Sequence, residues 1–499
     1  MLFMSQGPAP LDAAPPMTRD EVTNYVEGLA ALLMEVARSG GAEAADAARA
    51  VLPRSVATSA FYARPGIAVE RLGTMVEWAL IQEVPVPVSD LAFQLQRVRD
   101  GLGRLESDTG TEIRKAVEDI ESLIERLDSG SFPVRLKRLA GDWSLEDYKY
   151  EVDEHGHNLE RGTRKLRDLA REVVENPEEL TNELLSWLCS PEAEKGDVFF
   201  WQLGKLDREQ RWLATVERLG SRDEGAIIFG AYLGGFADHD RALVEDQLDE
   251  LAEAQRVADR AILWATSQLG GSCRGIERIE KLLVEGRLEP ALIGRTLTGR
   301  WTEPLEAGAF LRLLCLLAGP GLKNAIVAVR VAVSWEHMGK PLEGELADFV
   351  WRCLETARSD SHTDDYELDR LAAVLAHRDP AKGFRLLEAL LTRADEVGWE
   401  PISDHHENQL WGALREADCE RAIRLVVSLA VAEGSRIIGI SQALQGTLGQ
   451  QTNHDLLVSL TTEDERQAEI IANSITAAEA GFWPLAVEIL AQYPENQVV

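Results

Sequence analysis

Asp365-Tyr-Glu-Leu-Asp-Arg-Leu-Ala-Ala-Val-Leu-Ala-His-Arg-Asp379-Pro-Ala-Lys-Gly-Phe-Arg-Leu-Leu returns 39 residues later as Asp404-His-His-Glu-Asn-Gln-Leu-Trp-Gly-Ala-Leu-Arg-Glu-Ala-Asp418-Cys-Glu-Arg-Ala-Ile-Arg-Leu-Val. Leu371 matches Leu410, Leu375 matches Leu414, Asp379 matches Asp418 and Phe384 matches Ile423. Arg385-Leu386 likewise matches Arg424-Leu425. Within each copy the apolar residues recur every three or four positions, in two helical patterns per unit. A period of about 40 with two helices per unit is the signature of stacked helix hairpins, in which each unit needs its neighbours to bury its apolar face.

The pattern extends outward from this pair. Leu444-Gln-Gly-Thr-Leu-Gly echoes Leu410-Trp-Gly-Ala-Leu-Arg, and Leu457-Val-Ser-Leu echoes Val426-Val-Ser-Leu, so a third, degenerate copy follows. Upstream, helix-pair patterns span 177–219, 223–269, 275–297, 304–334 and 342–375. Asp364 with Glu367 and Asp404 with Glu407 read as capped helix starts. A final helix over 478–491, carrying Phe482, Trp483 and Leu485, reads as a cap on the array. Alternating strands and Asn-Gly hairpins are absent from the sequence, so the expected fold is all-α: an irregular helix-hairpin repeat solenoid over 131–499 behind an N-terminal helical domain over 18–130.

In that first domain, Ser39-Gly-Gly, Ala63-Arg-Pro-Gly and Val84-Pro-Val-Pro-Val separate successive helices. Proline lacks a backbone donor and pushes its predecessor into extended geometry. Ile113, Val117, Ile120, Ile124 and Leu127 then keep heptad spacing, predicting a long amphipathic helix over 109–127 that packs on a neighbour such as a helix over 153–174. Residues 128–133, Asp-Ser-Gly-Ser-Phe-Pro, mark the expected boundary. Residues 1–17 hold Gly7-Pro-Ala-Pro and Pro15-Pro16 and read as a disordered tail without a secretion signal.

From about residue 135 onward the chain resembles the HEAT and armadillo class of α-solenoids, by period, helix-pair length and phrases such as Asp379-Pro-Ala-Lys-Gly-Phe-Arg-Leu-Leu. Leu184-Leu-Ser-Trp-Leu, Phe200-Trp-Gln-Leu-Gly-Lys-Leu-Asp and Ala226-Ile-Ile-Phe-Gly-Ala-Tyr-Leu-Gly-Gly are similar to the helical recognition arms of bacterial conflict-system NTPases. No phosphate-binding glycine motif accompanies them: Gly319-Pro-Gly-Leu-Lys323 lacks the P-loop spacing. These resemblances imply a non-enzymatic scaffold, sensor or inhibitor that recognises protein and regulates a separately encoded effector, in bacterial defence signalling.

Charge narrows the partner. The chain carries 84 acidic and 52 basic residues, a net charge of -32, with the acids interspersed along amphipathic segments. That field opposes phosphate backbones and favours a protein with a basic or amphipathic segment over nucleic acid. Five widely spaced cysteines without a Cys-x-x-Cys pair fit a reducing cytoplasm. The most apolar stretch, 310–333, is interrupted by Arg312, Gly319-Pro-Gly, Lys323 and Arg330, and so reads as a buried hairpin and not a membrane span.

Several residue clusters qualify as chemistry. Gly271-Ser-Cys273-Arg-Gly275 is similar to the nucleophile turn of caspase-like peptidases, with His239 as the nearest upstream imidazole; that reading needs a strand before Cys273, whereas the flanks read as helix. The competing reading is a glycine-rich turn with a half-buried cysteine. His155 and His157, beside Asp153 and Glu154, form a weak metal candidate without a third partner. His405 and His406 stand where the preceding repeat has an ordinary helix start. No cofactor is expected. A third reading makes the chain a substrate of a regulatory protease, cut within 128–133 or 359–365. Twelve tryptophans against seven tyrosines read mainly as packing between repeats, with Trp201, Trp301 and Trp399 as candidate aromatic anchors for a partner.

Overall fold

The computed structural model describes residues 18–62, 65–81, 84–104, 111–152, 158–357, 362–392, 409–430, 444, 448, 451–478 and 482–493. Among these, 24 α-helices and one pair of three-residue strands make the fold all-α. The chain divides into two compact units, Met1–Ala265 and Thr266–Val499.

The first unit opens with α1 (Arg19–Ser39), α2 (Ala42–Tyr62), α3 (Pro65–Ile81) and α4 (Val88–Gly103), separated at the glycine and proline breaks expected from the sequence. Thr18 starts α1 with a capping box: its hydroxyl accepts from Glu21 N, and the Glu21 carboxylate accepts from Thr18 N at 2.7 Å. The heptad helix is α5 (Thr111–Asp128), which turns Ala116, Ile120, Leu123, Ile124 and Leu127 inward. It packs on α3 and α4. The helix expected to be its neighbour begins later, as α7 (Arg161–Glu175), and meets the end of α5 through Lys165 Nζ and Asp128 Oδ2, 2.6 Å apart. Between them lie α6 (Phe132–Ala140) and an antiparallel ribbon, β1 (Tyr150–Val152) with β2 (Asn158–Glu160). Such short strands give too little alternation to be read from sequence.

The rest of this unit comprises α8 (Asn182–Leu188), α9 (Gly196–Leu206), α10 (Leu213–Gly220), α11 (Ala226–Ala254) and the start of α12 (Asp259–Gln268). Glycines govern one contact here. A Cβ on Gly204 of α9 would stand 2.1 Å from the Tyr232 carbonyl oxygen, and one on Gly235 of α11 would stand 2.1 Å from that of Trp201. The two backbones therefore approach at a distance only glycine permits, which explains Gly204 and Gly235 in the sequence. Helix α11 breaks at Asp240, whose extended backbone (φ -153°) and side chain, accepting from Leu243 N at 2.9 Å, restart the helix.

The second unit continues with α13 (Cys273–Val284), α14 (Pro290–Thr296), α15 (Ala307–Ala318), α16 (Ala325–His337), α17 (Gly344–Thr356), α18 (His362–Arg378) and α19 (Pro380–Thr392). Then come α20 (Gln409–Ala417), α21 (Cys419–Ala430), α22 (Gln451–Leu460), α23 (Glu465–Ala478) and α24 (Trp483–Leu490). Odd-numbered helices contact one another in an unbroken row from α13 to α23, and α14, α16, α18 and α20 form a second row. Side chains tie each hairpin to the next at one repeat's separation: Lys340 Nζ to the Leu305 carbonyl, Arg370 to Glu336, Arg378 to the Leu342 carbonyl, Lys382 to Asp348 and Gln467 to the Val427 carbonyl. Asp369 accepts from the backbone N–H groups of Gln409 and Leu410 at the start of α20.

The matched aspartates perform one task twice. Asp379 Oδ1 accepts from Lys382 N at 3.1 Å and Asp418 Oδ1 from Arg421 N at 3.0 Å, each capping the second helix of its hairpin. Asp464 repeats the arrangement with Gln467 N at 3.1 Å. Pro380 follows its cap at the first helical position, where a missing N–H costs nothing. Leu371, Leu375, Leu410, Leu414, Phe384 and Ile423 are all buried. Asp379→Ala or Asp418→Ala is expected to lower stability by about 0.5–2 kcal/mol, measured by denaturant unfolding, with Asp→Asn largely neutral.

Three boundaries differ from expectation. Helix α18 begins at His362, so Asp364 lies inside its first turn and not ahead of it. The expected helix over 478–491 is divided between the end of α23 and α24. Residues 128–133 are not an open linker: only Ser129, Gly130 and Ser131 separate α5 from α6, with Phe132 buried and Asp128 held by Lys165, which makes a poor protease site. Residues 358–361, in the other proposed cleavage segment, lie outside the described residues.

Candidate binding surface

The tryptophans separate into interior and surface groups. Trp78, Trp143, Trp212, Trp301, Trp335, Trp351 and Trp411 are buried. Trp335 stacks on Phe310 with ring centres 4.1 Å apart, and Lys340 Nζ stands 4.2 Å above its ring. Trp301, a candidate anchor by sequence, is only 3% exposed; its Nε1–H donates to the Thr266 carbonyl at 3.0 Å, so it is a packing residue and offers nothing to a partner. Trp201 is half-buried on α9 with Lys205 Nζ 5.7 Å from its ring centre. Trp399 lies outside the described residues.

The burial of Trp301 also accounts for the glycine-rich cysteine motif. Gly271 N donates to the Trp301 carbonyl at 2.8 Å, and a Cβ on Gly271 would come within 2.3 Å of that oxygen. Gly270 adopts φ +75°, which favours glycine. Ser272 then caps α13, accepting from Gly275 N at 2.9 Å. Cys273 is exposed in the first turn of α13, and the segment before it is the helix α12, not the strand a caspase-like nucleophile turn requires. His239 is exposed near the break in α11, where its Nε2 bonds the Lys205 carbonyl at 2.7 Å. Burial raises the thiol of Cys353 to about 12, with neighbouring Cys315 adding to the effect, and burial likewise raises Cys315 and Cys189. Those three are thiols, not thiolates, at neutral pH.

His155, His157, His405 and His406 lie outside the described residues. Among the described residues no three His, Cys, Asp or Glu side chains converge to hold a metal ion, and no helix is long and apolar enough to cross a membrane.

A surface recess of about 300 Å³ lies between α19 and α21, lined by Phe384, Glu388, Arg421, Arg424, Leu425 and Ser428. The repeat itself builds it, since these residues come from the second helices of the two matched hairpins. Arg421 lies over the Phe384 ring at 4.4 Å, and Arg424 is braced by Glu420 one turn earlier at 2.7 Å. Two guanidinium groups held in place beside Leu425, with Glu388 at the same recess, suit a segment bearing an apolar side chain between charged ones. The sequence comparison matched Arg424 with Arg385 and did not single out Arg421; the two recess arginines stand one turn apart on α21, and the packing of α19 against it adds Phe384 and Glu388.

A second concentration of charge is buried and structural. Arg138 pairs with Asp147 at 3.0 Å between Nη1 and Oδ2 and donates from Nη2 to Oδ1 at 3.1 Å; Ser144 supplies two further donors to Oδ2. Arg138 Nε also stands 3.2 Å from Asp128 Oδ1, a charge contact without hydrogen-bond alignment. Burial pushes the Asp147 carboxyl up, but the charge and hydrogen bond of Arg138 and the two donors of Ser144 outweigh it and hold the carboxyl below its ordinary range. Asp207 is similarly enclosed, accepting from Tyr232 OH, Arg211 N and Trp212 N at 2.8, 3.0 and 2.8 Å, and burial raises the Tyr232 phenol. Both networks close turns in the first unit.

No family model matches this chain, and neither the curated proteins nor the solved structures contain a match.

Proposed function

We propose that this chain is a HEAT-like, protein-binding scaffold, sensor or inhibitor that works in the cytoplasm and regulates a separately encoded effector by recognising a basic or amphipathic segment of it. The supporting observation is the continuous row of helices α13 to α23, which bury their apolar faces against neighbouring hairpins and carry the arginine-lined recess between α19 and α21. Repeated hairpins generate extended surfaces that bind other chains, and the net charge of -32 favours basic partners and accelerates their encounter. Within the recess, Leu425 takes an apolar side chain, Arg421 and Arg424 a neighbouring acid, and Glu388 a neighbouring base. A role in bacterial defence rests on the likeness of the tryptophan- and glycine-rich phrases to recognition arms.

Replacing both recess arginines, Arg421→Ala with Arg424→Ala, is expected to weaken a purified partner complex at least about tenfold, as removal of central arginine anchors does. Both side chains are on the surface, so the thermal unfolding midpoint stays close to that of the parent. An unchanged affinity, read by titration calorimetry with the partner recovered from native cells, removes the recess from the binding surface.

A further inference from the structure

The apolar surface of α1 is wider than the fold covers. Ala30 and Ala37 belong to the buried core, with Leu33, Met34 and Val36 packed against it. At its outer edge Tyr25, Leu29 and Leu32 are 64%, 41% and 56% exposed. Their spacing of four and then three residues places them in one line along a helix. Beside that line Gly28 is open, since a Cβ there would meet nothing within 4 Å, and Ala31 is exposed, so a second helix can approach closely. Glu21, Gly28 and Glu35 recur at seven-residue intervals along one flank, and both glutamates are exposed.

We propose that Tyr25, Leu29 and Leu32 form a docking seam for an amphipathic helix of another protein, one with Lys or Arg along the flank of its apolar stripe. The charge of the seam selects this occupant. A second copy of α1 laid antiparallel would place Glu21 of one chain against Glu35 of the other, two carboxylates on the same flank. A parallel copy would set Glu21 against Val26, already partly covered within the fold, and Glu35 against Gly40, so it would offer neither glutamate a positive charge. A basic flank pairs with both glutamates, and the net charge of -32 adds long-range attraction. This surface lies in the first unit and is independent of the recess between α19 and α21, so the recess variants leave it untouched.

The test titrates full-length protein with three fluorescent synthetic helices of about 20 residues, a length that still forms helix in water. One has a leucine seam and lysine flank, one a leucine seam and glutamate flank, and one a lysine flank with serine in the seam. The first is expected to bind at least about tenfold more tightly than either control. Leu29→Glu is expected to remove that preference although it makes the protein more acidic, with the circular-dichroism melt unchanged because the position is exposed. Equal binding of the serine-seam helix, or unchanged binding to Leu29→Glu, overturns the seam. A parent dimer that Leu29→Glu splits in sedimentation assigns the face to a second copy instead. Binding that appears only after residues 2–17 are removed assigns it to the chain's own N-terminus.

Discussion

Arg138→Met is expected to lower the unfolding free energy by roughly 3–5 kcal/mol, the cost of leaving a buried carboxylate without its counter-charge. The side chains of Arg138 and Asp147 are 3% and 1% exposed, so water cannot replace the lost partner. The substitution also frees Asp128, which then keeps only Lys165. The double variant Arg138→Met, Asp147→Leu recovers part of the loss by removing both charges, but not all, because Ser144 N and Oγ lose their acceptor. Urea unfolding of the single and double variants measures the coupling.

The same site sets an acid limit. Because the Asp147 carboxyl is held below its ordinary value in the folded chain, its contribution is fully present above the unfolded carboxyl range of about 3.9 and is lost as pH falls through the folded value. Parent protein should therefore lose stability steeply on the acid side, and Asp147→Asn should flatten that arm while lowering the neutral plateau. Parallel acid arms in the two proteins would mean that Asp147 does not titrate as the geometry requires.

Trp301→Ala is expected to cost about 3–5 kcal/mol, the range for emptying an aromatic site in a core. The ring fills space beside Thr266 and Gly275, its Nε1–H satisfies the Thr266 carbonyl, and its own carbonyl holds Gly271. Loss of the ring should therefore loosen the turn that presents Cys273. Trp301→Phe should retain most of the volume and lose chiefly the hydrogen bond, for about 1 kcal/mol. Cys273→Ser, at an exposed position, should leave stability within about 0.5 kcal/mol of the parent. If instead Trp301→Ala is as stable as the parent, the buried placement of the ring is wrong and it returns to the surface as a binding candidate.

What the sequence disclosed, and what it did not, follows from the range of each interaction. The paired aspartates Asp379 and Asp418 act within three residues of themselves, so their match marked a repeated local feature, although the helix starts expected from sequence stood at Asp364 and Asp404. The proline-rich break after Val84 and the heptads of α5 are local in the same sense. The interior is not local. Trp201 and Trp301 both stand near glycine or polar residues in sequence, yet Trp301 is enclosed by a turn 30 residues upstream while Trp201 stays half-buried. Arg138 and Asp147 look like ordinary surface charges until the turn through Ser144 returns Asp147 to Arg138. Helix α1 carries a wide apolar surface, and periodicity alone could not say which part its neighbour covers. The recess between α19 and α21 unites residues from two repeats, so each repeat read singly conceals it.

A partner segment is expected on the second unit, across the row of odd-numbered helices. Cross-linking mass spectrometry on the complex captured from native cells, with the Arg421→Ala, Arg424→Ala protein in parallel, tests it most directly. The expected result is one stoichiometric protein cross-linked to α17, α19 and α21, lost at high salt and depleted by the double substitution. A stoichiometric partner whose cross-links avoid these helices and whose recovery is unchanged by the double substitution would contradict it.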